Sequence, residues 1–267
     1  MMVEHQQSAS ALHFLFHCKQ KHIITSSTRN MACHQRSASL PCIARSNESK
    51  VEVELQGLKS CISSPSATIS TVCGGYARLG DIYKSIDEIM GLPSNQVGLS
   101  SPQNKKMVEE ELERSLALID LCNSMQENLM GLKMSTQELQ LVLKRGDDAA
   151  VQLKVESFIR LVKQAQKPFK QIASSKAGAE DCKLVRLLAE ARDISVSLLE
   201  STLQLLPKQF ATTKASKWSL VQKRKVVCEE EQLQVLERSM GDLENGAELL
   251  FRRLIQSRVS LLNILSS

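Results

Sequence analysis

The residue types best suited to chemistry are placed so as to exclude most of it. All five histidines, His5, His13, His17, His22 and His34, lie in the N-terminal stretch, and the body after His34 has none. That body therefore holds no Ser-His-Asp or Cys-His triad, no HExxH zinc site and no histidine general base. The spacing of the terminal histidines fits no metal site. The eight cysteines are Cys18, Cys33, Cys42, Cys61, Cys73, Cys122, Cys182 and Cys228, and no two form a CxxC pair. A zinc ribbon or thioredoxin-type centre is thus not expected. Spread through helical segments, they read as small buried apolar side chains in a reducing compartment. Neither GxGxxG nor GxxxxGK[ST] occurs, so no loop is built to cradle phosphates. Gly74-Gly75 leads into a helical stripe without a preceding strand. Asp147/Asp148 and Glu180/Asp181 fall at helix starts, where capping explains them. These residues argue against an enzyme and imply no cofactor.

Two clusters could bind rather than catalyse. The first is Arg36-Ser37-Ala38-Ser39-Leu40-Pro41. Arg36 stands three residues before Ser39, as a basic-directed kinase requires. Once phosphorylated on Ser39, R-S-x-S-x-P resembles a ligand of 14-3-3 proteins. The phosphate would add about −1.5 to −2 charges and pair with an arginine cluster, while Pro41 directs the chain out of an extended groove. The competing reading is an unmodified Ser-rich tail. The second cluster surrounds the only tryptophan, Trp218, with Lys214, Lys217, Lys223, Arg224 and Lys225. It suits an anionic membrane surface, a partner protein or nuclear import. Lys163, Lys167 and Lys170 offer a second basic face for the membrane reading. The alternative is a tryptophan folded back on the body amid solvated lysines.

The elements that must position these clusters are helical. Of 267 residues 42% are hydrophobic, but only 3% are aromatic, with 11 Gly and 6 Pro. Interiors must then be built from Leu, Val, Ile, Ala and Met, which favours helices packed on helices. Val51, Leu55 and Leu58 begin a helix after Lys50 that ends near Ser63-Ser64-Pro65. Pro65 then opens the next helix, whose stripe is Ile69, Val72, Tyr76, Leu79, Tyr83, Ile86 and Met90. Gly74-Gly75 should weaken it by about 1 kcal/mol per glycine. Residues 93–103 read as a polar loop, broken again at Pro102. A long stripe from Leu112 to Leu143 stops at Gly146, and Asp147 starts the helix from Val151 to Ile172, which Pro168 should kink or split. Another helix runs from Glu180 to Leu206. The last carries Leu233, Leu236, Met240, Leu243, Ala247, Leu250, Leu254, Ser257, Leu261 and Ile264, a heptad pattern of coiled-coil type. It can pack within the chain or form a homodimer, and intramolecular packing is the simpler solution. Arg252, Arg253 and Arg258 near its end read as a solvated face.

The expected fold is all-α, an elongated multi-helix bundle with long heptad-patterned helices after a disordered N-terminal tail. Residues 1–47 form that basic, Ser-rich tail, with residues 1–30 upstream of a working start at Met31. Its composition also suits an organellar transit peptide, but disorder is the preferred reading. Residues 48–267 form one helical-bundle domain with a basic linker at 207–228. The net charge of +5 is too mild for a nucleic-acid binder and compatible with acidic partners or anionic lipid. No stretch approaches the roughly 18 apolar residues of a membrane span. The expected location is cytoplasmic or membrane-peripheral.

Four segments carry a family resemblance: RSASLP in the tail, LGDIYKSIDEIMGLP at 79–93, LERSLALIDLC at 112–122 and FRRLIQSRVSLLNIL at 251–265. Together they resemble the land-plant BYPASS-related proteins, the family of domain of unknown function 241, from about Met31 to the end of the chain. The resemblance implies a protein with no assigned catalytic activity and no cofactor. It further implies a role in root and shoot development, by restraining a mobile root-derived signal; the expectation for this chain is a non-catalytic regulator acting through protein contacts, with a membrane-peripheral adaptor docked around Trp218 as the alternative.

Overall fold

The apolar stripes become helices whose inner faces close on one another. The computed structural model describes residues 40–172, 182–212, 226–227 and 229–266. Its helices are α1 (Leu40–Ile62), α2 (Ile69–Met90), α3 (Pro93–Leu99), α4 (Pro102–Lys144), α5 (Asp148–Ala165), α6 (Lys167–Ile172), α7 (Lys183–Leu205) and α8 (Glu230–Ser266). The fold is all-α apart from one minimal ladder, in which β1 (Ala211–Thr212) pairs antiparallel with β2 (Val226–Val227).

Four helices enclose the core. α8 packs on α2 and α4, and α7 packs on the same two from the other side. Cross-helix contacts give their directions. Lys133–Glu244 at 3.7 Å and Lys144–Glu230 at 3.1 Å set α8 antiparallel to α4. Tyr76–Thr202 at 2.9 Å and Tyr83–Ser195 at 3.2 Å set α7 antiparallel to α2. α1 lies across α2 and α7, and α5 folds back along α4, tied by Lys154 to Glu138 at 2.6 Å. α4 alone is 43 residues, about 65 Å of continuous helix. All ten heptad positions named above in α8 are buried within the chain. The stripe is thus satisfied by packing within the chain.

Helix ends follow local rules. Thr68 caps α2 through a reciprocal pair with Thr71. Gly146 ends α4 at φ +70°, a conformation that favours glycine. The Asp147 side chain accepts from the Ala150 amide at 3.0 Å and starts α5. Pro168 falls just inside the separate helix α6, so the α5 pattern is split there.

Three boundaries differ from expectation. Pro65 lies in the turn before α2, because Thr68 supplies the cap. Residues 93–103 are not a loop. Pro93 and Pro102 occupy the first turns of α3 and α4, where a missing N–H breaks no hydrogen bond. α1 begins at Leu40, so the basic tail ends earlier than residue 47, and Pro41 stands in a first helical turn rather than in extended chain. The tail before residue 40 lies outside the described residues. The 207–228 linker is anchored at both ends. Leu206–Gln209 form a 3₁₀ turn, and buried Phe210 meets Phe158 of α5 edge-on, with centroids 5.1 Å apart.

Glycine matters where helices approach closely. A Cβ on Gly246 would stand 2.7 Å from the Tyr76 ring, and one on Gly75 would stand 2.8 Å from Leu198 Cδ1. Gly74 has nothing within 4 Å. Gly246→Ala should therefore cost about 1–3 kcal/mol by overpacking. Gly74→Ala should add about 0.5–1 kcal/mol of stability. Thermal unfolding followed by circular dichroism would show the two shifts in opposite directions.

Candidate functional site

The chemically distinctive place in the body is a polar layer inside the four-helix core. It arises because each helix carries a polar side chain on its apolar stripe. Tyr83 follows Leu79 on α2, Glu111 and Ser115 bracket Leu112 on α4, Arg192 and Ser195 follow Leu188 on α7, and Ser257 follows Leu254 on α8. All of them are buried.

Arg192 Nη1 donates to Glu111 Oε2 at 2.8 Å, linking α7 to α4. Arg192 Nη2 also donates to Asp193 Oδ1 at 3.2 Å, and Arg114 Nη1 stands 3.7 Å from the same Glu111 oxygen. Arg258 Nη1 crosses from α8 to donate to the Leu112 carbonyl, and to Ser115 Oγ at 3.0 Å. Ser195 gives its proton to the Ala191 carbonyl at 2.7 Å, so the Tyr83 hydroxyl is the donor in the Tyr83–Ser195 pair. Burial drives the Tyr83 and Tyr76 phenols far above their ordinary range and pushes the Cys122 thiol up to about 12. These groups are therefore neutral donors and packing groups, not nucleophiles.

Beside this layer, half-buried Asp87 of α2 faces Arg253 and Ser257 of α8. Burial raises its carboxyl to about 6, although Ser257 and Arg253 pull it back down. Ser257 is the hydrogen-bonding neighbour of the Asp87 carboxyl, and Arg253 Nε has no hydrogen-bond partner among the described residues. The void within the layer measures about 10 Å³. Wider hollows of about 260–380 Å³ are surface grooves along α1, away from the layer. Among the described residues no group of three or more His, Cys, Asp or Glu could hold a metal ion.

Most of the candidate residues read from the sequence lie outside the described residues. Arg36, Ser39, Lys214, Lys217, Trp218, Lys223, Arg224 and Lys225 fall outside the described residues, as does the side chain of Lys170. Lys163 and Lys167 are exposed on α5 and α6. Two expectations need correction. Arg252 is solvated and paired with Glu248, but Arg258 turns inward, because the Leu112 carbonyl and Ser115 offer it acceptors. Of the described cysteines Cys122 is buried, Cys73 and Cys182 are half-buried, and Cys61 is exposed with Arg78 donating to its sulfur at 3.6 Å. Reading by apolar stripe missed Glu111 and Arg192. Their signal was a charge at core spacing, Arg192 four residues after Leu188 and Glu111 three after Val108.

The matched region spans most of these elements. A family model described as Protein BPS1 matches residues 75–232 and 222–264. The chain belongs to this family. The match runs from α2 into α8 and includes Tyr83, Asp87, Glu111, Arg192 and Arg258; α1 lies before it. No curated protein and no solved structure matches the chain. In this BPS1-family chain no helix of the described residues is long and apolar enough to cross a membrane.

Breaking the layer should cost more than replacing it. Arg192→Leu leaves Glu111 buried without its closest partner and should destabilise by about 3–5 kcal/mol, whereas Glu111→Leu/Arg192→Leu should recover most of that loss. Chemical denaturation of both variants tests this. Asp87 binds its proton more tightly folded than unfolded. Its contribution to stability is fully present below the unfolded carboxyl value near 4 and is lost as pH rises through about 6. Asp87→Asn should therefore gain stability over the wild type between pH 4 and pH 7, and level off above. Paired denaturation curves at each pH read the difference.

Proposed function

We propose that this protein is a non-catalytic cytoplasmic regulator or scaffold in root and shoot development, acting through protein–protein contacts. Membership in the BPS1 family supports the developmental role. The observation that carries the contact reading is an apolar stripe on the outward face of α4. Met130, Met134 and Leu141 are 57%, 59% and 57% exposed, and their spacing of four and seven places them on one line. Large apolar side chains held in water along one face mark contact surfaces, and methionine adapts readily to a partner. The tail adds a switch in this reading, with phosphorylated Ser39 between Arg36 and Pro41 recruiting 14-3-3 proteins.

A second reading is a peripheral membrane adaptor. Arg160, Lys163 and Lys167 follow one line along α5 into α6, all exposed, with the carboxylate of Glu156 a turn before them. Phe210, in the stretch that leads towards Trp218, packs on Phe158 of α5. An anionic headgroup layer attracts each such cation by about 1 kcal/mol.

Affinity purification from plant tissue separates these readings. With the wild type, Met130→Glu/Met134→Glu and Ser39→Ala as baits, the stripe variant should lose its main partners, and Ser39→Ala should lose only 14-3-3 proteins. Identical partner sets from all three baits would rule out both contact surfaces. Sedimentation with anionic vesicles tests the membrane reading, which fails if the wild type shows no salt-sensitive binding.

A further inference from the structure

The turn between α1 and α2 carries a motif that neither proposed contact surface includes. Residues 63–68 read Ser-Ser-Pro-Ser-Ala-Thr, between the end of α1 at Ile62 and the start of α2 at Ile69. Ser64-Pro65 is one of two Ser-Pro pairs in the chain, and Ser101-Pro102 is the other. Proline disposes the residue before it to extended backbone. A serine so placed is what proline-directed kinases accept in their extended substrate grooves.

The two pairs differ in their surroundings. At Ser101 helices adjoin on both sides, since α3 ends at Leu99 and α4 begins at Pro102. The Ser101 hydroxyl also donates to the Gly98 carbonyl at 2.8 Å. Laying that stretch out would unwind the first turn of α4. Around Ser64 six residues lie outside the helices, and Ser63, Pro65 and Ser66 are exposed. The turn is lightly held, by the Ser64 amide on the Cys61 carbonyl at 3.4 Å and the Ala67 amide on the Ser64 carbonyl at 3.0 Å. The Ser64 hydroxyl meets only the exposed Ser66, at 2.8 Å from its hydroxyl and 3.3 Å from its amide.

A hollow of about 310 Å³ opens beside this turn, against the end of α7. Its walls include Ser201, Gln204 and Glu200 of α7 and Lys208 of the 3₁₀ turn that follows. Glu200 is already engaged, accepting from the Gln204 amide at 3.1 Å. Lys208 is exposed and holds no ion pair among the described residues.

We propose that Ser64 is a phosphorylation site for a proline-directed kinase, with its phosphate seated in this hollow against Lys208. In the transfer, Ser64 Oγ attacks the γ-phosphorus of ATP held by the kinase. The Oγ–P bond forms as the bond from that phosphorus to the oxygen bridging it to the β-phosphate breaks. The hydroxyl proton passes to the base of the kinase, and ADP leaves. The product adds about −1.5 to −2 charges to the turn, and pairing with Lys208 ties α1 and α2 to the end of α7. The site is separate from Ser39, which is followed by leucine and not by proline.

The full-length protein, native and heat-denatured, is treated with a mitogen-activated protein kinase and ATP, and the phosphorylated residues are mapped by mass spectrometry. Phosphate on Ser64 of the native protein, lost in Ser64→Ala, is the expected result. Phosphate on Ser64 of the denatured chain alone, or of neither form, overturns the site. Phosphorus magnetic resonance of the phosphorylated wild type and Lys208→Ala then reads the seat. Beside the lysine the phosphate should titrate about half a pH unit below its ordinary value of about 6, and Lys208→Ala should restore that value. Identical titrations in the two proteins overturn the seat against Lys208.

Discussion

The ion pair between Arg192 and Glu111 is the constraint around which the rest of the bundle is arranged. Its charges are buried and 2.8 Å apart, and each would be costly to bury without the other. Leucine stripes have no such requirement. A helix slid by one heptad against its neighbour still sets leucine on leucine, with a modest change in packing. The same slip would move Arg192 two turns, about 10 Å, away from Glu111. The pair thus converts a repetitive apolar interface between α4 and α7 into one with a single register. Arg258 does the same between α8 and α4, through the Leu112 carbonyl and Ser115.

The two tyrosines extend this logic to α2. Tyr76 and Tyr83 are seven residues apart, and so are their partners Thr202 and Ser195 on the antiparallel helix. Two hydrogen bonds at a matched interval hold α2 and α7 in line over two turns. The Tyr76 ring meanwhile fills the space that a side chain at position 246 would take, so α8 seats against α2 at that level. One residue ties three helices: hydroxyl to α7, backbone in α2, ring face to α8. Position 246 is therefore set by a neighbour far away in the chain, not by helix propensity, which would disfavour glycine there.

Local rules were legible in the sequence and long-range ones were not. The ten inward positions of α8, the stripe of α2, the stop at Gly146 and the break at Pro168 all depend on residues within a turn or two. Pro93 and Pro102 misled because proline ends one helix and opens the next equally well, and only the downstream pattern distinguishes the two. The short helix between them has too few residues to show a period. Glu111 and Arg192 were invisible for another reason. A lone charge is assigned to solvent by default, and its partner lies 81 residues away. Arg258 was misplaced by the same default. Legibility of the candidate binding residues was partial in another sense: the Ser39 motif and the Trp218 segment are clear as patterns, yet Ser39 and Trp218 both lie outside the described residues.

The layer also bears on where recognition can occur. Among the described residues the hollow in the layer measures about 10 Å³, and the proposed contact stripe lies on an outer face. α4 serves both purposes. Its inner side carries Glu111 and Ser115, which lock it to α7 and α8, and its outer side carries Met130, Met134 and Leu141. A stripe on an isolated helix would bend and fray, and a partner would have to order it on binding. Here that ordering is supplied by the fold, because α4 packs against α8 and, towards its C-terminal end, against α5. A partner meeting the proposed stripe would encounter a preorganised row of side chains, which lowers the entropy lost on association. Loosening the polar layer would therefore weaken such a contact without altering any residue that touches the partner.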